Sequence, residues 1–303
     1  MSLTSLLRAK ENQELRTKFK EVFPKPVLKN KLEPLSQPGS NRYSIIGTAF
    51  DYLLRLKLES RYSKKLNRPF VAEKAIEMVS FYAERDSKIP AYWQLRQVSM
   101  IEFDAILKKE FEKCLERMEE YLVSQKITHE LCQSAIVLAQ LDGICRAGYF
   151  DRNFGISWLP EWEDLVSLLK LIPEEIESFG PNSFYNPTFG EGSKLVGGAD
   201  ADLILDDILI EIKVTKKLEL RREYFNQLIG YYLLSLVGGV NGNTDIKPIK
   251  RIGVYFARHG YLWQIPLSEI APQKTFDEFL VWFADYVKRT GTFMPVKVHT
   301  IYT

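Results

Sequence analysis

The chain has 303 residues, of which 46% are hydrophobic and 26% are charged, and it carries a net charge of +2. This composition is ordinary for a globular protein and is enough to bury a core, which excludes a disordered or low-complexity chain. The net charge is too small for nucleic acid to be attracted by the protein as a whole, so any polyanion must meet a local basic surface.

Neither a membrane segment nor a secretion signal is predicted. The longest apolar run, at 228–240, is shorter than the ~20 residues that a membrane-spanning helix needs and is predicted to be a buried helix. The amino terminus lacks a basic-then-apolar pattern, so we expect a cytoplasmic protein without membrane association. Cys114, Cys132 and Cys145 show no Cys-x-x-Cys spacing, which favours core packing over a disulfide framework or a zinc site.

The first half of the chain is predicted to be mainly helical. Residues 1–40 indicate a short amphipathic helix followed by an irregular arm interrupted by prolines. Residues 41–180 form a second region, in which apolar residues recur at helical spacing from Ile46 to Leu58 and again near 100–125. Thr128 is a predicted N-cap of a further helix, which Gly148 is expected to end.

The second half, residues 181–303, changes from helical to strand periodicity. A loop rich in Pro, Gly, Asn and Ser, at 179–192, precedes an alternating stretch at 196–215, a helix near 218–237 and two strands around 250–267. Thr275 and Glu278 predict a capping box for a last helix that ends before Gly291. The predicted fold class is therefore α/β, with β-β-α-β-β order after a large N-terminal helical portion.

An acidic hairpin is the most informative element of the sequence. Asp206 and Asp207 separate two apolar stretches and are predicted to form a tight turn. A turn centred there places Asp202 opposite Glu211, and Asp200 opposite Lys213. Because side chains alternate between faces of a strand, all four then project from the same side of the sheet.

Two facing carboxylates predict a bound cation. Their Cβ atoms lie ~5 Å apart across a strand pair and repel one another unless a cation sits between them. Mg²⁺ or Mn²⁺ fits Asp202 and Glu211, with the Ile212 carbonyl as a further ligand and Asp200 as a substitute if the register shifts. Lys213 can position an attacking water and neutralise charge on a phosphorane. The alternative is a solvated strand face, since acid-x-Lys triplets also occur at 86–88 and 245–247.

These residues resemble the PD-(D/E)XK, or restriction-endonuclease-like, nuclease superfamily, whose motif is an Asp followed on the next strand by Asp/Glu-x-Lys. Gln227 and Tyr231 resemble the Gln-x-x-x-Tyr motif of its RecB-like exonuclease branch, which implies that they line the DNA path beside the active site; the alternative is core packing. Asp51 occupies the position of the histidine in that branch's Gly-x-x-x-His motif, and either completes the metal site or pairs with Arg55.

The resemblance implies an αβββαβ core with a mixed sheet, Mg²⁺ or Mn²⁺ as the cofactor, and DNA as the substrate, with RNA as an alternative. An iron–sulfur cluster is not expected, because no cysteine follows Cys145. No Walker motif is present, so a helicase would be a separate partner protein.

Two basic stretches are candidate nucleic-acid contacts. The first comprises Lys216, Lys217, Arg221 and Arg222, although Glu219 and Glu223 make an ordinary solvated helix face an equal alternative. The second comprises Arg55, Arg61, Lys64, Lys65 and Arg68.

The predicted function is hydrolysis of DNA phosphodiester bonds without sequence specificity, as in an exonuclease. Two rival predictions stay open: a catalytically inactive protein that uses this fold to bind nucleic acid or a partner protein, and a hydrolase of small phosphate esters.

Overall fold

The computed structural model describes residues 2–62, 70–85, 99–151, 153–177, 180 and 182–290. The chain divides into two compact units. One unit joins Met1–Pro34 to Pro173–Thr303 and is called the core unit here; the other, Leu35–Ile172, is called the helical unit. The described residues form eleven α-helices and a five-stranded mixed sheet, so the predicted α/β class is confirmed.

The described residues of the helical unit form five helices, in agreement with the helical periodicity of its sequence. Thr128 accepts a hydrogen bond from the Leu131 N–H, and Gly148 adopts a left-handed conformation with φ 61°, so both predicted ends of one helix are confirmed. That helix is buried along most of its length and packs against the other four. The five are α3 (Tyr43–Tyr62), α4 (Val71–Ala83), α5 (Met100–Ser124), α6 (His129–Ala147) and α7 (Leu159–Lys170).

The core unit begins with two short helices, α1 (Leu3–Arg8) and α2 (Gln13–Val22), where the sequence predicted one. The Asn12 side chain causes the break, because its amide donates to the Leu6 carbonyl at 2.9 Å and so stabilises a turn. Phe19 on α2 is fully buried in the hydrophobic core of the unit. The amino-terminal helices are therefore part of the core unit's packing.

The rest of the core unit is built around the sheet. Its strands run in the order β1-β2-β3-β4-β5; β3 and β4 are parallel, and the other neighbouring pairs are antiparallel. The elements are α8 (Glu174–Glu177), β1 (Ser183–Tyr185), α9 (Glu191–Leu195), β2 (Leu203–Leu205), β3 (Ile208–Lys213), α10 (Arg222–Gly238), β4 (Arg251–Phe256), β5 (Tyr261–Pro266) and α11 (Gln273–Arg289).

The predicted hairpin register is confirmed within β2 and β3. Leu203 pairs with Ile210 and Leu205 with Ile208, and Asp206 adopts the positive φ of 55° that a tight turn requires. Because β3 and β4 are parallel, their carboxyl ends lie at the same edge of the sheet, and α10 connects the two strands.

Three further predictions of local structure were wrong. The 179–192 segment contains β1 and the start of α9, because a strand of three half-buried residues is too short to show a period of two. Helix α11 starts at Gln273 after Pro272, and no side chain caps it, so Thr275 lies within its first turn and the predicted capping box does not form. Helix α10 starts at Arg222 rather than near 218.

No helix in the described ranges is long and apolar enough to cross a lipid bilayer.

Candidate active site

The candidate site lies where β3 ends and the chain approaches β2. The Asp202 carboxylate accepts a hydrogen bond from the Ile212 backbone N–H at 2.6 Å. The backbone pairing of β2 and β3 ends at Leu203 and Ile210, so Asp202 and Glu211 lie just beyond the last pair. Asp202 therefore reaches β3 through its side chain, between the strand positions of Glu211 and Lys213.

Glu211 is the most deeply buried acidic side chain of this group, with 3% of its surface exposed. Its Oε1 accepts a hydrogen bond from Lys213 Nζ at 2.5 Å, which confirms that Glu211 and Lys213 share a face. Its Oε2 is buried and has no hydrogen-bond partner among the residues that the structure describes. An unsatisfied buried carboxylate oxygen is costly unless a water, an ion or another ligand bonds to it.

Lys213 carries the positive charge of the site. Burial alone would lower the pKa of Lys213, but the negative charges of Glu211 and Asp202 outweigh it and hold the pKa above its ordinary value. Its ammonium also lies 4.7 Å from the centroid of the Tyr224 ring. Lys213 is therefore a protonated hydrogen-bond donor at neutral pH.

Gln227 and Tyr231 lie one turn apart on α10 and contact each other. Gln227 Nε2 donates to Tyr231 Oη at 2.8 Å, and the Tyr231 ring stacks on Phe189 with centroids 5.5 Å apart. Burial, followed by the charges of Glu211 and Asp202, holds the pKa of Tyr231 well above its ordinary value. The Tyr231 hydroxyl is thus neutral and lies within electrostatic range of the acidic pair, so the fold brings the two motifs together.

The two weaker ligand candidates lie outside the hairpin. Asp200 forms an isolated bridge with Thr188, and its charge also contributes to the raised pKa of Tyr231. Asp51 lies on α3 in the helical unit. Arg55, the alternative partner of Asp51, forms an ion pair with Glu59 at 3.1 Å. Metal binding by either aspartate stays a prediction.

The donor set at the site suits a hard cation that keeps several waters. Within the described ranges, no group of three or more His, Cys, Asp or Glu side chains is arranged to hold a metal ion. Mg²⁺ commonly binds to one or two carboxylates, with water and substrate phosphate oxygens completing its shell. Asp202 and Glu211, with its unpartnered oxygen, fit that pattern, and the Ile212 carbonyl stays a predicted further ligand.

The first predicted basic cluster does not form one surface. Lys216, Lys217 and Arg221 are exposed in the segment before α10, and Arg221 pairs with Glu219 at 3.5 Å. This segment is not helical; its Leu220 is buried, and the Leu220 carbonyl accepts a hydrogen bond from Lys25 at 2.6 Å.

Arg222 points instead toward the amino-terminal arm, where its guanidinium donates to the Phe23 carbonyl at 2.7 Å. The second predicted stretch is only partly described. Arg55 and Arg61 lie on α3, whereas Lys64, Lys65 and Arg68 lie outside the described residues.

Sequence reasoning assigned no chemistry to the first forty residues, yet α1 packs against the site helix. Gln227 Nε2 also lies 3.4 Å from Thr4 Oγ1, and the Leu3 N–H donates to the Gly198 carbonyl at 2.9 Å. The one sequence signal was Gly230, in the middle of a predicted helix. A Cβ at Gly230 would lie 2.8 Å from Leu3 Cδ2, so the missing side chain is what lets α1 approach.

Comparison with known proteins identified no relative: no family model matches the chain, and neither a curated protein nor a solved structure is similar to it.

Proposed function

We propose that this protein is a divalent-metal-dependent nuclease of the PD-(D/E)XK type, which hydrolyses phosphodiester bonds of DNA. The observation that carries the proposal is the incompletely hydrogen-bonded carboxylate of Glu211. Its carboxylate is buried, one oxygen is held by Lys213, and the other has no partner among the described residues, while Asp202 lies alongside. A cation between the two carboxylates would satisfy the unpartnered oxygen and relieve the repulsion.

The arrangement of strands supports the same assignment. An antiparallel hairpin carries Asp202 and the Glu211-x-Lys213 triplet, and α10 then leads to a parallel strand beside β3. This order resembles the αβββαβ core of the superfamily. Gln227 and Tyr231 lie on that connecting helix, as in the RecB-like branch.

In this proposal, Asp202, Glu211 and the Ile212 carbonyl hold Mg²⁺ or Mn²⁺. When bound, the ion supplies Lewis-acid polarisation of the scissile phosphate. The protonated Lys213 orients the attacking water and stabilises the negative charge that develops on the phosphoryl oxygens. Tyr231 stays neutral, so it adds a hydrogen-bonding group to the site without adding a second repelling charge.

The proposed substrate is the DNA backbone rather than a particular sequence, and RNA is the alternative polynucleotide. Phosphate contacts position a nucleic acid strand without reading its bases. Lys216, Lys217 and Arg221 are exposed cations just after the acidic site and can contact phosphates. A helicase or another partner protein would have to supply any strand separation.

The test is DNA cleavage by a Lys213→Met variant. Methionine keeps most of the aliphatic side chain but removes the ammonium, so we expect the cleavage rate to fall by at least about 100-fold. Rates on linear, circular and single-stranded DNA with Mg²⁺ or Mn²⁺ provide the measurement. Lys247→Met is the matched control, because Lys247 is an exposed lysine that pairs with Asp206 at the turn end of the hairpin.

Equal rates for Lys213→Met and the control would refute the catalytic role of Lys213. If the unaltered protein binds DNA but cleaves none of these substrates with either metal, the catalytically inactive alternative is correct. If it cleaves nucleotide esters but no polynucleotide, the protein is a hydrolase of small phosphate esters.

A further inference from the structure

A basic cavity of about 320 Å³ lies between the amino-terminal helices and α10. Its lining includes four cations and one carboxylate, which gives a net charge of +3 if all five are ionised. The five are Arg8, Arg16, Lys20, Arg222 and Glu223. The cations come from α1, α2 and the first residue of α10, so the positive charge is produced by the tertiary fold and not by a run in the sequence.

The two half-buried arginines of this cavity donate to backbone carbonyls. Arg16 donates to the carbonyls of Ala9 and Lys10, and Arg222 donates to that of Phe23 at 2.7 Å. A carbonyl orients a guanidinium but does not neutralise its charge. Both arginines are therefore held in place with their positive charge available to an anion.

An amide at the cavity wall also needs a partner. Asn226 lines the cavity and is 3% exposed, and its Oδ1 is a buried oxygen without a hydrogen-bond partner among the described residues. Its neighbour Gln227 also lines the cavity and donates a hydrogen bond to Tyr231. The charge of Glu211 raises the pKa of Tyr231, which places the Tyr231 hydroxyl near the acidic site. The cavity thus adjoins the acidic site through Gln227, although the acidic side chains do not line it.

The cavity wall formed by α1 is anchored to elements that also carry the acidic site. The Leu3 N–H bonds to the Gly198 carbonyl, in the loop that leads to Asp200 and Asp202, and the Leu3 side chain packs on Gly230 of α10. Leu3 and Leu6 are completely buried. The position of the basic groups relative to the acidic site is therefore set by core packing.

We infer that this cavity binds a phosphate group of the nucleic acid strand, which places the strand next to the acidic site. The inference rests on the proposed nuclease function for the identity of the ligand. Two arginines held by backbone carbonyls, with Arg8 and Lys20 also in the lining, match a phosphate, and Asn226 Oδ1 can accept a hydrogen bond from a base amine of the same nucleotide. The first helices would then be a substrate-binding element.

The test is DNA binding by an Arg8→Gln/Lys20→Gln double variant. Both residues are exposed, so the substitutions should leave the fold intact. Fluorescence anisotropy with a labelled single-stranded oligonucleotide in EDTA measures binding without cleavage. We expect the Kd to rise about tenfold or more through the loss of charge-assisted contacts, and the salt dependence of log K to decrease by about 0.7 per lost contact.

The matched control is Lys10→Gln/Lys18→Gln, which removes the same charge from the same amino-terminal segment at residues that do not line this cavity. Equal Kd values and salt dependence for the two double variants would overturn the inference. The oligonucleotide is used with a 5′-phosphate and with a 5′-hydroxyl. A defect that is larger for the phosphorylated strand identifies a terminal phosphate as the ligand, and an equal defect identifies an internal phosphodiester.

Failure of this inference is distinguishable from failure of the proposed function. If Lys213→Met abolishes cleavage while the two double variants bind DNA equally, the nuclease assignment stands and the cavity is not the phosphate site. If the cavity variant alone loses binding but the unaltered protein cleaves no DNA, the cavity binds nucleic acid and the catalytic assignment is wrong.

Discussion

Each unit of the molecule buries a cluster of charged side chains, and the two clusters differ in how completely they are satisfied. In the helical unit, Arg42 bonds to Asp151 at 2.9 Å and to Glu161 at 3.2 Å. Asp151 also accepts from Gln140 and from the Asn153 N–H, and Glu161 accepts from the Trp158 N–H. This cluster is completed by groups of the chain itself, as a structural cluster should be.

The acidic site of the core unit is not completed in this way. It combines two carboxylates with one ammonium, and Glu211 Oε2 stays without a hydrogen-bond partner among the described residues. Burial of charge therefore does not by itself identify a functional site. The informative difference is a buried carboxylate oxygen without a partner beside a second carboxylate, because a cation between them would offset the cost of both.

Arg42→Met, which disrupts the satisfied cluster, should change the protein most. Glu161 is fully buried, and the substitution leaves Glu161 and Asp151 without their cation. We expect the free energy of unfolding of the helical unit to fall by about 3–5 kcal/mol. Urea denaturation followed by circular dichroism measures the change. A loss below about 1 kcal/mol would show that the cluster does not stabilise the unit.

Glu211→Gln removes one charge from the acidic site, as Arg42→Met does from the satisfied cluster, and should mainly reduce cleavage. We expect the cleavage rate to fall by at least about 100-fold, because a ligand of the proposed metal loses its charge. The free energy of unfolding without metal should fall by less than about 1 kcal/mol, because the glutamine oxygen can still accept from Lys213. Cleavage and urea denaturation of the same sample test both parts. A large loss of stability with unchanged activity would make Glu211 structural.

Stabilisation of the folded protein by a bound metal ion should be the weakest of the three effects. An ion that binds only the folded state stabilises it by about 2.7 kcal/mol at a concentration of 100 times its Kd. We expect Mg²⁺ or Mn²⁺ to raise the Tm of the unaltered protein and EDTA to reverse the change. The Glu211→Gln variant should show a much smaller shift in scanning calorimetry. Equal shifts in the two proteins would place the metal elsewhere.

Much of the local structure was predictable from the sequence because its causes are local. The Asp206-Asp207 turn and the alternation of apolar residues set the hairpin register, and Thr128 and Gly148 set the ends of α6. The failures have local causes as well. Strand β1 is too short for its periodicity to be read, and the helix start at Gln273 competes successfully with the capping pattern of Thr275 and Glu278.

The candidate site was only partly predictable. Asp202 lies just beyond the last strand pair and reaches β3 by accepting a hydrogen bond from the Ile212 N–H. The sequence alone predicted the shared face of Glu211 and Lys213, because side chains alternate along a strand. It also placed Gln227 and Tyr231 on one helix face, because residues four apart are neighbours on a helix.

The satisfaction of charges and the grouping of distant residues depend on the tertiary fold. Whether Glu211 Oε2 finds a partner depends on every element that packs around it, and the basic cavity joins residues of α1, α2 and α10 that are some two hundred positions apart. Hydrogen bonds and electrostatic attraction act through space over a few ångströms. Residues far apart in the sequence can therefore become partners that the local sequence pattern does not reveal.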